Sequence, residues 1–469
     1  MSTQRGMAPT DIFDVAIIGA GVVGCAAARR FALAGAKVIV LEKGADILSG
    51  ASKANSAILH TGFDAPSGSL ELELVKAGRE EYLQIHEGLN LPLVKTGALV
   101  CAWSKAETEN LEAIARQARN NGILNVRLVS AREALALEPG LSNSVTAALH
   151  VPDEHIIDPW SAPLGYVSQA IALGATVLRS CEVKSGQFDG TWKLESSRGA
   201  VRTKWVVNAA GLFGDQVDAI LGLAPEFQIK PRKGQFVVLD KAAARELKTI
   251  ILPVPNEVTK GIVICPTAFG NILIGPTAEE QNDRLRATVE HQTLQTLVAH
   301  GTKIVPGLAH LPVTAVYAGL RPASDKKEYR VINRAASNVI TLGGIRSTGL
   351  SSALGLAQYA LELHGGMDRD EFRQNEIPNV YMPNLAETRP RDWQADGHGE
   401  IICHCEMVTR REIEAALSSP LPPGDFGGLR RRTRAGIGRC QGFYCNAKLA
   451  EITRGSLDIP LAIEREYHK

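Results

Sequence analysis

Apolar positions along the chain fall into three kinds of run. Two short, near-continuous runs come first, Val15 to Ile18 and Lys37 to Leu41, separated by an alanine-rich stretch. Such runs read as buried parallel strands, and the stretch between them as the crossover helix of a βαβ unit. Alternating patterns at 235–240, 261–265 and 270–275 predict strands with one buried face. After Glu154-His155-Ile156-Ile157, the pair Asp158-Pro159 reads as a helix start, with Asp as cap and Pro at the first helical position. Further on, Glu400-Ile401-Ile402 reads as a strand and Arg410–Leu417 as a helix with one apolar face, and another helix is expected after Cys445.

Between these blocks lies EIPNVYMPNLAETRPRDWQADGHG, residues 376–399, rich in Pro, Asn and Gly and expected to be a linker. The pattern therefore predicts an α/β protein, with the linker between a body over 12–375 and a small domain over 400–457. No apolar run approaches the roughly 20 residues that span a bilayer.

Composition narrows the class. The 469 residues are 45% hydrophobic and 22% charged with a net charge of +1, which argues against a nucleic-acid or polyanion binder. The opening segment MSTQRGMAPTDIFD has no apolar signal-peptide core. Of eight cysteines, Cys25, Cys101, Cys181 and Cys265 sit in apolar stretches and read as small buried hydrophobes. The other four form Cys403-x-Cys405 and Cys440-x4-Cys445. Thiolates gathered this way select zinc or an iron–sulfur centre, and stay reduced in a cytoplasmic protein. Cytoplasm is the expected location, with peripheral membrane attachment through a partner left open.

Gly19-x-Gly21-x-x-Gly24 sits between the first strand and its helix, with Glu42 and Lys43 closing the second strand. Gly19 suits a tight turn, Gly21 lets backbone approach a pyrophosphate, and Gly24 lets helix pack on strand. The helix N-terminus favours the diphosphate, and Glu42 stands where ribose hydroxyls would donate to it. The fingerprint alone does not separate FAD from NAD.

The next segments carry a resemblance. Ser52-x-x-Asn55-Ser56-x-x-x-His60-x-Gly62 resembles the D-amino-acid-oxidase-like flavoproteins, in particular the anaerobic glycerol-3-phosphate dehydrogenase and L-2-hydroxyglutarate oxidase branches. Ala209-Ala210-Gly211, Pro231-Arg232-Lys233-Gly234-Gln235, Pro266-Thr267, Gly275-Pro276-Thr277 and Ala318-Gly319-Leu320-Arg321-Pro322 keep that resemblance in register. So does Gly343-Gly344-Ile345-Arg346-Ser347-Thr348-Gly349-Leu350. The tail, Cys403-His404-Cys405-Glu406 with Arg439-Cys440-Gln441-Gly442-x-x-Cys445, is similar to the BFD-like [2Fe-2S] domain that ends the large subunit of anaerobic glycerol-3-phosphate dehydrogenase. The resemblance implies a Rossmann-like FAD lobe, drawn from residues near 12–90, 145–215 and 335–375, interlaced over 12–375 with a mixed-sheet substrate lobe made of the pieces between, followed by a small α-rich cluster domain. It implies FAD held by Gly19, Gly21, Gly24, Glu42, Lys43, Ser52, Asn55, Ser56, Ala210, Gly211, Gly344, Thr348, Gly349 and Leu350, and a cluster on the four tail cysteines.

Within that frame His60 is expected to take a hydroxyl proton, since imidazole titrates near neutrality. A packing histidine is the alternative. Arg321 is the expected anion clamp, its guanidinium fork suited to carboxylate or phosphate. Lys326, Lys327 and Arg330 could extend that site or form a solvated hairpin tip, and His155 could line the substrate lobe. Arg346 departs from the pattern, in which an acidic residue is usual, and points to a second anionic group or to charge on reduced flavin. Arg430, Arg431, Arg432, Arg434 and Arg439 crowd the second cysteine pair, as cations for the cluster, a solvated face or a partner's docking patch. The expected activity is hydride transfer from a small anionic hydroxy compound, glycerol 3-phosphate or a related polyol phosphate, to FAD. Electrons would pass on through the cluster to a partner protein or quinone. A 2-hydroxy acid and an opine or amino acid are the alternative substrates.

Overall fold

The computed structural model describes residues 12–255, 261–365 and 377–462. Its first sheet has eight strands. The parallel set runs in the order Val339–Gly343, Gly199–Asn208, Ile12–Ile18, Val38–Leu41, Thr176–Leu178. Both strands beside Ile12–Ile18 are parallel to it and end level with it, since Ile18 faces Asn208 on one side and Leu41 on the other. The glycine turn, Glu42 and Ala209-Ala210-Gly211 therefore emerge together at the carboxyl ends of the strands, where open α/β sheets bind ligands. The helices Val22–Leu33, Ser161–Ala172 and Gly349–Leu363 cover the sheet around Ile17, Phe31, Val40, Tyr166 and Leu356.

A second, nine-stranded mixed sheet supplies the other lobe. At one end, Arg232–Leu239 pairs antiparallel with Val313–Arg321, and this register sets Arg232 opposite Arg321. The alternating patterns foreseen at 235–240, 261–265 and 270–275 appear as Arg232–Leu239, Val263–Pro266 and Ile272–Gly275. One boundary moves. Ala147–Val151, expected in the first lobe, pairs with Ala98–Ala102 in the second sheet, because its inward side chains complete that lobe's apolar core. The predicted helix start also shifts. Asp158 accepts from the backbone N–H groups of Trp160 and Ser161, so Pro159 lies in the turn and the helix begins at Ser161.

The tail has its own core of Ile402, Val408, Ile413, Leu429 and Leu449. Helices Arg410–Leu417 and Asn446–Ile452 stand where expected. A third, Phe426–Thr433, was hidden by its paired glycines and three arginines; Asp425 caps it by accepting from Gly428 N–H. The described part of the connecting segment is a packed strap. Met382 and Leu385 are buried, Met382 N–H donates to Leu89 O, and Arg389 reaches Asn90 Oδ1 at 2.8 Å. No helix among the described residues is long and apolar enough to cross a membrane.

Candidate active site and cluster centre

A cavity of about 900 Å³ runs from the glycine turn to the end of the second sheet. At its first end Gly19, Gly21, Glu42 and Lys43 line the wall. Glu42 accepts from the backbone N–H of Ala20 and of Gly44, each at 2.7 Å, and burial raises its pKa. Lys43 lies 3.1 Å over the Phe213 ring, and burial lowers its pKa. Gly24 is not on the wall. A Cβ there would overlap Gly19 O, so its part is the close seating of helix on turn.

The middle of the wall is the segment 50–56. Ser52 Oγ accepts from Val22 N–H at 3.0 Å, tying the segment to the helix N-terminus. Asn55 accepts from Ala57 N–H and donates to Ser52 O, which fits an orienting role. From the other lobe, Tyr317 Oη donates to Asn55 O at 3.0 Å, with its ring stacked on Phe236. Ser56, Ala210, Gly211, Gly349 and Leu350 also line the cavity. Gly344 and Thr348 stand behind it: Thr348 Oγ1 bonds the Tyr329 hydroxyl and Glu71. Wall residues missed in the sequence include Cys181, Glu182, Val183, Lys184 and Leu285. They arrive from strands and loops that carry no motif of their own, so only the assembled topology reveals them.

At the far end Arg321 and Arg346 both face the cavity. Arg321 Nη2 donates to Thr277 O at 3.0 Å, and Gly234 makes room for the guanidinium, since a Cβ there would stand 2.7 Å from Nη2. Burial, then the charges of Arg232 and Arg346, hold the Arg321 pKa down to about 10. Among the described residues neither Arg321 nor Arg346 has a carboxylate partner at ion-pair distance. Two guanidinium groups without acids in a concave site call for an anion.

His60 is not on this wall. Its Nδ1 lies 2.8 Å from Glu154 Oε2, and the fully buried Glu154 also accepts from Thr61 N–H and Thr61 Oγ1. His155 is buried with Nδ1 against Glu154 O, off the cavity, and burial lowers its pKa. Lys326 and Lys327 are exposed, and Arg330 Nη2 bonds Glu226 O, so this cluster is a hairpin tip rather than part of the site.

In the tail the four thiols lie within electrostatic reach of one another, Cys405 with Cys440 and Cys403, and Cys445 with Cys403 and Cys440. Backbone N–H of Tyr444, with lesser help from Gly442 and Phe443, holds the Cys440 thiol below its usual range. Among the described residues no three His, Cys, Asp or Glu side chains close on one metal position. A [2Fe-2S] centre takes four thiolates, two to each iron, which is the donor set these four cysteines offer. The tail arginines mostly face inward. Arg432 bonds Asp46, Arg434 bonds Glu406 and lies 3.9 Å from the Phe269 ring, Arg439 bonds Asp240, and Arg431 reaches Ile47 O. They fasten the tail to both lobes, a role their crowding in the sequence does not disclose.

Residues 14–363 match the FAD dependent oxidoreductase family (DAO), and residues 401–454 the BFD-like [2Fe-2S] binding domain. The chain is 31% identical to a glycerol 3-phosphate dehydrogenase of Caloramator mitchellensis over 97% of both chains. It is 24% identical to an anaerobic glycerol-3-phosphate dehydrogenase subunit of Escherichia coli K12, over 93% of this chain and 87% of that one. Among solved structures, the dithionite-reduced L-alpha-glycerophosphate oxidase from Mycoplasma pneumoniae with FAD bound shares the fold. Its TM-score is 0.73 at 24% identity, over 80% of this chain and 100% of that one.

Proposed function

The chain belongs to the FAD dependent oxidoreductase family and carries a BFD-like [2Fe-2S] domain, and on that premise we propose that it dehydrogenates glycerol 3-phosphate or a related polyol phosphate. The observation that carries this reading is the pair Arg321 and Arg346, open to the cavity without acidic partners among the described residues. The name of the Caloramator relative, aligned over nearly the whole chain, supports the phosphate.

Bound FAD supplies a hydride acceptor and the [2Fe-2S] centre a one-electron carrier. Gly19, Gly21, Glu42 and Ser52 hold the dinucleotide, and Tyr317 fixes the Asn55 backbone beside it. Arg321 seats the phosphate and Arg346 its second negative charge, which orients the carbinol carbon. His60 is assigned the hydroxyl proton. Because it stands off the cavity wall, that assignment rests on its pairing with Glu154, a carboxylate suited to orient the ring and steady its cationic form. Cys403, Cys405, Cys440 and Cys445 hold the cluster. Beyond it we assign the electrons to a partner protein or quinone-linked membrane component at the cytoplasmic face. The word "subunit" in the Escherichia coli relative's name supports this.

Rapid mixing of the flavin-loaded protein with glycerol 3-phosphate without oxygen tests the clamp. Arg321→Met should raise the substrate concentration needed for half-maximal flavin bleaching, and unchanged saturation would remove the clamp. His60→Asn should slow bleaching at saturation; an unaffected rate would take the proton role from His60. A second reading follows from Arg346: two guanidinium groups equally suit a dicarboxylate, so an L-2-hydroxyglutarate-type acid is the rival substrate.

A further inference from the structure

Two of the residues that fasten the tail, Arg431 and Arg432, meet the body at one loop, and that loop belongs to the dinucleotide site. Residues 43–50 return from the strand Val38–Leu41. Lys43 and Gly44 on one side, and Ser49 and Gly50 on the other, line the cavity. At the crest of the return Asp46 is fully buried and points away from the cavity into the tail. It accepts from Arg432 Nη1 at 2.6 Å and Nη2 at 3.0 Å, from Gly424 N–H at 3.2 Å and from Ile47 N–H at 2.7 Å. The next residue accepts from the tail through its carbonyl, Arg431 Nη2 to Ile47 O at 3.0 Å. Leu48, held at φ +60°, donates its N–H to Ala20 O within the glycine turn. A neighbouring contact repeats the theme: Arg179 Nη1, just before the cavity-lining Cys181–Lys184 stretch, donates to Pro422 O.

Space is as tight as the charge pairing. Gly428, in the helix Phe426–Thr433, lies so close to Asp46 that a Cβ would overlap its carboxylate, and a Cβ on Gly424 would overlap Ala45 O. One loop thus presents one face to the dinucleotide and the other to the cluster domain, and no polar group of Asp46 is left to solvent.

We propose that flavin binding and docking of the cluster domain are thermodynamically coupled through this loop, with Asp46 as the joint and Arg432 and Gly428 as its counterpart in the tail. A buried ion pair holds one geometry, and removing one partner leaves an uncompensated charge. When the tail is seated, the return 43–50 is fixed in the form that shapes the cavity wall. When flavin fills the cavity, the same return presents Asp46 to the tail. Coupling of this kind is reciprocal by thermodynamic necessity. Asp46 acts here as a positioning residue.

The test uses the full chain, stripped of flavin and titrated with FAD, with affinity read from quenching of flavin fluorescence. Gly428→Ala introduces no charge and touches no cavity residue, and should weaken FAD binding by about tenfold, within the range of ordinary coupling. Arg432→Met should do at least as much. Leu308→Ala, in the second lobe's core, controls for general loss of stability and should leave the FAD affinity alone. In the other direction, FAD added to the wild-type chain should slow amide hydrogen exchange in residues 422–433, none of which lines the cavity. Wild-type FAD affinity in Gly428→Ala, or exchange in 422–433 that ignores FAD, overturns the proposal. Should Arg432→Met fail to fold, Gly428→Ala and the wild-type exchange decide alone.

Discussion

Arg321 is the residue on which most rests. A base whose pKa is depressed in the fold, here to about 10, carries its charge at a cost at every pH below about 10. That cost fades only as pH rises through about 10 toward the unfolded value, and a bound anion offsets it below that point. Inorganic phosphate should therefore raise the unfolding temperature of the wild-type protein at pH 7.5, lose this effect above about pH 10, and do nothing for Arg321→Met. Calorimetry at the two pH values checks it, and equal stabilisation of the variant would show the phosphate bound elsewhere. Arg321→Met should also lower kcat/KM by roughly thirtyfold, the equivalent of about 2 kcal/mol for a charge-assisted hydrogen bond. The arginine was legible because Gly-Leu-Arg-Pro closes a strand. That Arg346 shares its cavity was not, because Arg321 ends a strand of one sheet and Arg346 follows a strand of the other. Nor was Glu154 as the partner of His60, since 94 positions of chain separate them.

Among the elements, the opening strand–turn–helix was the most readable, because local chemistry fixes it: parallel apolar strands, three glycines and an alanine-rich helix. Gly24→Ala should cost about 1–3 kcal/mol of stability from overpacking against Gly19 O and reduce flavin retention, measured by thermal unfolding and by the flavin released on gel filtration. The two-lobe join depended on contacts that sequence does not encode locally. Tyr317, in the strand Val313–Arg321, reaches across to Asn55 O. Tyr317→Phe should cost about 1 kcal/mol through one lost hydrogen bond, with the affected backbone beside the flavin. A shifted visible flavin spectrum in the variant would place that bond at the cavity wall, and an unchanged spectrum with unchanged stability would deny it a role. The strap 377–399 misled for a related reason. Pro, Asn and Gly mark irregular backbone, yet irregular backbone can still bury Met382 and Leu385.

For the whole molecule, the domain types and both cofactors were legible, because cysteine spacing and glycine spacing are chemical requirements rather than tendencies. How the domains join was not. The tail arginines looked like a surface or a shell for the cluster, and four of the five instead reach the two lobes, at Ile47, Asp46, Asn271 and Asp240. The proposed electron route through the cluster is tested at one of its cysteines. Cys440→Ser should abolish the cluster's visible absorbance and reduction of a quinone-linked acceptor, while an artificial dye still turns over. The central claim, that this FAD enzyme dehydrogenates a phosphate-bearing polyol, is tested most directly by anaerobic bleaching of the flavin in the cluster-intact protein. Glycerol 3-phosphate, a tetritol phosphate, L-2-hydroxyglutarate and an opine would be offered separately. The account predicts bleaching by a polyol phosphate and little by the others; bleaching only by the hydroxy acid or the opine would contradict it.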